Sequence, residues 1–114
     1  MGLEFDNCEA HWSYGGFVIF RKKLAEKDGI DVWELKEWGG KEECPDIPMK
    51  DFYIHSDCDG ELTPQQLKIM IPRFRELLNK LREEDKEDYD VINGYKLLRT
   101  MEECIKNNVP LIFT

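Results

Sequence analysis

Thr63-Pro64-Gln65-Gln66-Leu67-Lys68-Ile69-Met70-Ile71-Pro72-Arg73-Phe74-Arg75-Glu76-Leu77-Leu78-Asn79-Lys80-Leu81 is the stretch that decides the fold. Thr63 and Gln66 are spaced as a capping box, in which each side chain accepts from the other residue's backbone amide. Pro64 holds the first helical position, where its missing N–H is no loss and its fixed φ is already helical. Leu67, Met70, Ile71, Phe74, Leu77, Leu78 and Leu81 then recur at steps of three and four. That spacing draws one apolar stripe along a helix, and the stripe requires a core to face. Pro72 interrupts the pattern by removing the amide that would reach the Lys68 carbonyl. It predicts a kink costing about 3 kcal/mol, which packing must offset.

On the C-terminal side, Glu83 to Asp90 reads as a charged turn. A second helix follows from about Val91, with Tyr95, Leu98, Met101, Cys104 and Ile105 as its buried face. Asn107-Asn108 and Pro110 end it. On the N-terminal side, the run Phe52-Tyr53-Ile54 suits a short strand or a buried extended segment. Pairing it with the apolar tail gives a two-stranded ribbon from residues 51–55 and 110–113. Pro45 and Pro48 keep residues 41–50 as loop. Asp31 caps a short helix through Val32, Trp33, Leu35 and Trp38, closed by Gly39-Gly40. Ser13 caps the first helix, and Trp12 and Phe17 stand at the spacing of a hydrophobic staple. Phe17, Phe20 and Leu24 line its apolar face, Arg21 to Lys23 lie towards its C-terminal end, and Asp28-Gly29 ends it. The expected fold is mainly α (α+β), three to four helices on one core, with residues 1–114 forming a single compact domain.

The formal charge of −8 argues against nucleic acid and anionic membrane as partners, since both require clustered cations. A basic protein or a cation matches this balance better. No run approaches the roughly 20 apolar residues of a membrane span. The first ten residues lack the basic start and apolar run of an export signal. Four cysteines without a Cys-x-x-Cys pair then read as reduced thiols in the cytoplasm, in a monomer or small homo-oligomer.

His55-Ser56-Asp57-Cys58-Asp59-Gly60-Glu61 is the most distinctive polar segment. Set on a twelve-residue calcium loop, it places His55, Asp57 and Asp59 at the first, third and fifth positions. Gly60 takes the turn, and the Glu61 carbonyl takes the seventh position. His55 replaces an oxygen ligand, however, and Gln66 replaces the closing bidentate glutamate. The competing reading is structural: Asp59 and Glu61 precede a helix N-terminus, where negative charge is favourable and free amides need acceptors. Zinc offers a second metal reading, because Cys8 and His11, and His55 and Cys58, are pairs at three-residue spacing that could complete a Cys₂His₂ set. In a catalytic reading His11 or His55 is the base, Asp57 or Asp59 orients it, and Cys58 is the candidate nucleophile. His11, Trp12 and Tyr14 form an aromatic cluster that reads as a binding surface or as core plus cap.

Ala10-His11-Trp12-Ser13-Tyr14-Gly15-Gly16-Phe17 and His55-Ser56-Asp57-Cys58-Asp59-Gly60-Glu61-Leu62 together resemble two signatures of a family of small uncharacterised bacterial and phage-associated proteins. The resemblance implies a bacterial or phage, cytoplasmic setting and assigns no catalytic residue. It also raises the expectation that the two segments lie side by side as one polar–aromatic site. The leading functional expectation is a small acidic intracellular interaction or regulatory factor, of antagonist or immunity type, without a cofactor. The alternative is a calcium- or zinc-binding protein, in one version hydrolytic, that uses the His55–Glu61 loop.

Overall fold

The computed structural model describes residues 2–114. In chain order the elements are β1 (Leu3–Glu4), β2 (His11–Trp12), α1 (Tyr14–Lys27), α2 (Lys50–Tyr53), β3 (Glu61–Leu62), α3 (Pro64–Glu84), α4 (Tyr89–Asn107) and β4 (Leu111–Ile112). Two single 3₁₀ turns, Val32–Glu34 and Lys36–Trp38, stand between α1 and α2. The mainly helical, single-domain expectation holds. A radius of gyration of 13.2 Å matches one compact body of this length. Among the described residues, no helix is long and apolar enough to cross a membrane.

The capping box of α3 is formed: Gln66 N donates to Thr63 Oγ1 at 3.2 Å, and Thr63 N donates to Gln66 Oε1 at 2.8 Å. All seven residues of its apolar stripe are buried, and the helix runs on through Pro72 to Glu84. A short connection turns the chain back, so that α4 packs along α3 in the most extensive helix–helix contact of the fold. Gly94 permits that approach. A methyl there would stand 2.4 Å from Leu78 Cδ2 and 3.2 Å from the Phe20 ring. α4 begins two residues earlier than the apolar pattern implies, because Asp88 caps it by accepting from Asp90 N at 2.7 Å. Its buried face is accordingly rotated towards Asp90, Asn93, Gly94 and Leu97, leaving Tyr95 and Ile105 half-buried.

Helix α1 starts at the Ser13 cap, whose Oγ accepts from Gly16 N at 2.9 Å. The staple is present, with the Trp12 and Phe17 rings 5.6 Å apart. Phe17 and Phe20 meet Phe52 of α2 and Phe74 of α3 at steep interplanar angles. Edge-on contacts of this kind suit the ring quadrupoles, and they join three helices into one aromatic core.

Residues 51–55 correct the expectation of a strand. The Met49 carbonyl accepts from both Phe52 N and Tyr53 N, and Lys50 O accepts from Ile54 N, which makes a helical turn. Phe52 and Tyr53 are adjacent and both fully buried, whereas a strand sends neighbouring side chains to opposite faces. The ribbon with the tail exists, but its partner is β3: Glu61 pairs with Ile112 and Leu62 with Leu111. The 31–38 segment is also corrected, since extended Leu35 divides it into two turns and bridges to Glu42. Gly40 lies so close to Glu34 that a methyl would come within 2.2 Å of its carbonyl carbon.

β1 pairs with β2 on one side, Leu3 opposite Trp12 and Glu4 opposite His11. On its other side, an antiparallel bridge joins Phe5 to Phe113, flanked by hydrogen bonds between Glu4 and Thr114 and from Asp6 N to Ile112 O. β1 and β4 therefore lie between β2 and β3. His11 on β2 and Glu61 on β3 thus stand on the outer strands of these linked ribbons.

Candidate functional site

Arg21 organises the loop that the sequence singles out. It sits at the position that completes the Phe17, Phe20, Leu24 face of α1, so its guanidinium is carried into the interior, 5% exposed. It donates to the carbonyls of His55 at 2.7 Å, Tyr53 at 3.3 Å and Phe52 at 3.5 Å. These are the orphan carbonyls at the end of α2 and just beyond it, where a cation is favourable. Phe17 and Trp38 cover the guanidinium at 4.8 and 4.7 Å. Burial pushes its pKa down to about 10, against the opposing pull of the Asp57 carboxylate. Its Nε has no acceptor.

The His55 ring is fixed from three sides. It stacks on Phe113 at 4.0 Å, its Nδ1 lies 2.8 Å from Ser56 O, and its Nε2 lies 3.0 Å from Glu61 O. The Glu61 carbonyl, which a calcium loop would turn to the ion, thus faces the His55 ring instead. Gly60, at φ 93°, supplies the turn, and its carbonyl accepts from Phe113 N at 2.9 Å. Beneath the loop lies a buried guanidinium, which opposes a divalent cation there. Among the described residues, no three His, Cys, Asp or Glu side chains converge as a metal would require.

The zinc set is likewise dispersed. The Cys8 thiol is directed at Lys96 O at 3.9 Å, and His11 Nδ1 lies 3.7 Å from Glu4. Cys58 is exposed beside Ser56 Oγ, and His55 is seated on Phe113. The aromatic surface divides too. His11 and Tyr14 are exposed, but Trp12 is buried, stacked on Phe20 at 4.6 Å, and it donates from Nε1 to Asp90 Oδ1 at 2.9 Å. The core-plus-cap reading applies to Trp12. The two signature segments approach at Phe17 and His55, since Arg21 lies over the Phe17 ring at 4.8 Å and donates to His55 O at 2.7 Å, while His11 and Glu61 belong to different strand pairs.

Two further polar networks escape a reading by apolar spacing. Asp90 holds Trp12 and also receives Lys23 Nζ at 2.8 Å, while Asp88 takes the same ammonium at 3.2 Å. The hydrogen bond to Asp90 leads in raising the Lys23 pKa. Burial alone would raise Asp88, but bonds from the Asp90 amide and Lys23 hold it below its ordinary value. In the second network, Asp28 accepts from Tyr53 Oη at 2.9 Å and from Arg73 Nε at 2.8 Å, and Trp38 Nε1 donates to Tyr53 O at 2.7 Å. Burial, then the Asp28 charge, pushes the Tyr53 hydroxyl far above its usual range, so it stays a donor. Arg21 had a sequence signal in its i+4 spacing from Phe17; Asp28 and Asp90 had none beyond their places at helix ends.

These networks join separate elements of the fold. The connection from 42 to 61 is acidic, and its carboxylate residues are exposed or half-buried. It carries Glu42, Glu43, Asp46, Asp51, Asp57, Asp59 and Glu61 against Lys50 alone among Lys and Arg. Among the described residues, only Glu43 of these makes an ion pair, with Lys36 at 3.1 Å. No family model, curated protein or solved structure matches this chain.

Proposed function

We propose that this chain is an intracellular recognition protein, of antagonist or immunity type, that docks a basic protein partner through its acidic 42–61 connection. The bacterial or phage setting implied by its two signature-like segments accords with such a role. One observation carries the reading: apart from Glu43, which pairs with Lys36, the carboxylates of this connection make no ion pair among the described residues. Arg21 and His55 pin the second half of the connection to α1 and to the tail, so its charges are presented on a fixed backbone. Fixed charge of one sign raises association rates and selects partners by complementarity.

The test compares capture from a lysate of the encoding cells by the native chain and by a neutralised variant, Asp46→Asn, Asp57→Asn, Asp59→Asn, Glu61→Gln. The expected result is a basic protein held in stoichiometric amount by the native chain and lost by an equally stable variant. A partner retained equally by both, or no partner at all, contradicts the proposal.

A further inference from the structure

A concavity beside α4 shares no residue with the acidic connection. It is a cleft of about 850 Å³ between the segment at residues 6–9, the C-terminal half of α4 and the tail. Its volume lies within the range of ligand sites. One stripe of α4, from Lys96 through Thr100 and Glu103 to Asn107, forms its long wall. From Lys96 to Glu103 the helix rises about 10 Å, the length of about three residues of extended chain.

The charges along this cleft are sorted. Lys96 and Arg99 stand at one end, near the segment that carries Glu9, where the Cys8 thiol is bonded to Lys96 O. Glu103 and Asp6 stand at the other end, where Asp6 N is bonded to Ile112 O. Among the described residues none of these five side chains makes an ion pair, although Arg99 and Glu103 are one helical turn apart. The C-terminal pole of the α4 dipole adds negative potential at the Glu103 end. Val109, Pro110 and Ile112 add an apolar patch there.

We infer that this cleft binds the free C-terminal segment of a polypeptide in extended form. Its terminal carboxylate sits at Lys96 and Arg99, and a basic residue about three positions earlier sits at Asp6 and Glu103. A ligand of this kind supplies both missing counter-charges at once, over the length the helix wall sets. Capture of a chain terminus by converging donors is a recurrent mode of peptide recognition.

The experiment titrates the ¹⁵N-labelled full chain with a four-residue peptide that carries lysine at its first position and a free carboxylate at its last. The same peptide with an amidated C-terminus and free lysine serve as comparison arms. The expected result is saturable amide shifts confined to residues 6–9 and 96–112, with about tenfold weaker binding on amidation, the effect of losing one charged hydrogen-bonding group. Lys96→Ala with Arg99→Ala weakens the free peptide to the level of the amidated one. The native protein's response to amidation decides the matter even if that variant misfolds. No shift at millimolar peptide, shifts centred elsewhere, equal binding of the amidated peptide, or equal binding of free lysine each overturns the inference.

Discussion

Replacing Arg21 by methionine keeps an apolar stem of similar reach and deletes the guanidinium. The native charge is held at a penalty: depression of its pKa to about 10 corresponds to about 3 kcal/mol of burial cost. Opposing that cost are the bonds to His55 O and Tyr53 O, at about 1.5–3 kcal/mol each for a charged donor. The two ring contacts add about 1–2 kcal/mol each when desolvated. The balance predicts that Arg21→Met loses about 3 kcal/mol, in line with breaking a buried charge network. Arg21→Lys retains the charge but not the planar fork, and it recovers less than half of that loss. Urea unfolding of both variants measures this, and amide exchange of residues 55–61 should quicken in parallel. A methionine variant within about 1 kcal/mol of the native protein, with unchanged exchange in the loop, would refute the assignment of Arg21 as the organiser of this segment.

Gly40→Ala drives a methyl into the Glu34 backbone, which no side-chain rotation relieves, and should lower stability by about 2 kcal/mol in a thermal melt; an unchanged Tm contradicts the packing described. Asp88 is held below its ordinary pKa, so the stability it adds is present above pH 3.8 and is lost as pH falls through its lower folded value. Asp88→Asn keeps a helix cap and should flatten the decline of Tm in acid. Lys23 is raised, so its contribution is full below pH 10.5 and fades as pH climbs through its higher folded value; Lys23→Met should remove that alkaline decline. With the Glu61 carbonyl bonded to His55 and a guanidinium below the loop, millimolar Ca²⁺ or Zn²⁺ should move Tm by less than about 1 °C. A rise of several degrees that Asp57→Asn abolishes would restore the metal reading.

The helices were legible where local chemistry and periodicity agreed. Thr63, Pro64 and Gln66 mark the start of α3 whatever surrounds it, and Ser13 with the Trp12–Phe17 staple marks α1. Residues 50–53 were not legible, because three apolar residues in a row fit a strand and a helical turn equally well. The tail's partner depended on that segment and changed with it. The calcium-like spacing of Asp57, Asp59 and Gly60 is also the spacing of a turn before a capped helix. What separates the two is the fate of the Glu61 carbonyl, which depends on where the His55 ring lies. Arg21 was visible only as a cation on an apolar stripe, and its acceptors come from a segment more than thirty residues away. The cleft beside α4 joins both ends of the chain, so its residues share no motif that a reading along the sequence would collect.

The most direct test of the account is the affinity of the native chain for the captured basic partner as a function of salt. Docking through the carboxylates of residues 42–61 predicts a Kd that weakens about tenfold or more between about 50 and 300 mM salt, as exposed charges are screened. It predicts a shallow dependence for the variant neutralised at Asp46, Asp57, Asp59 and Glu61. An affinity that ignores salt, or a neutralised variant that binds as the native chain does, would contradict it.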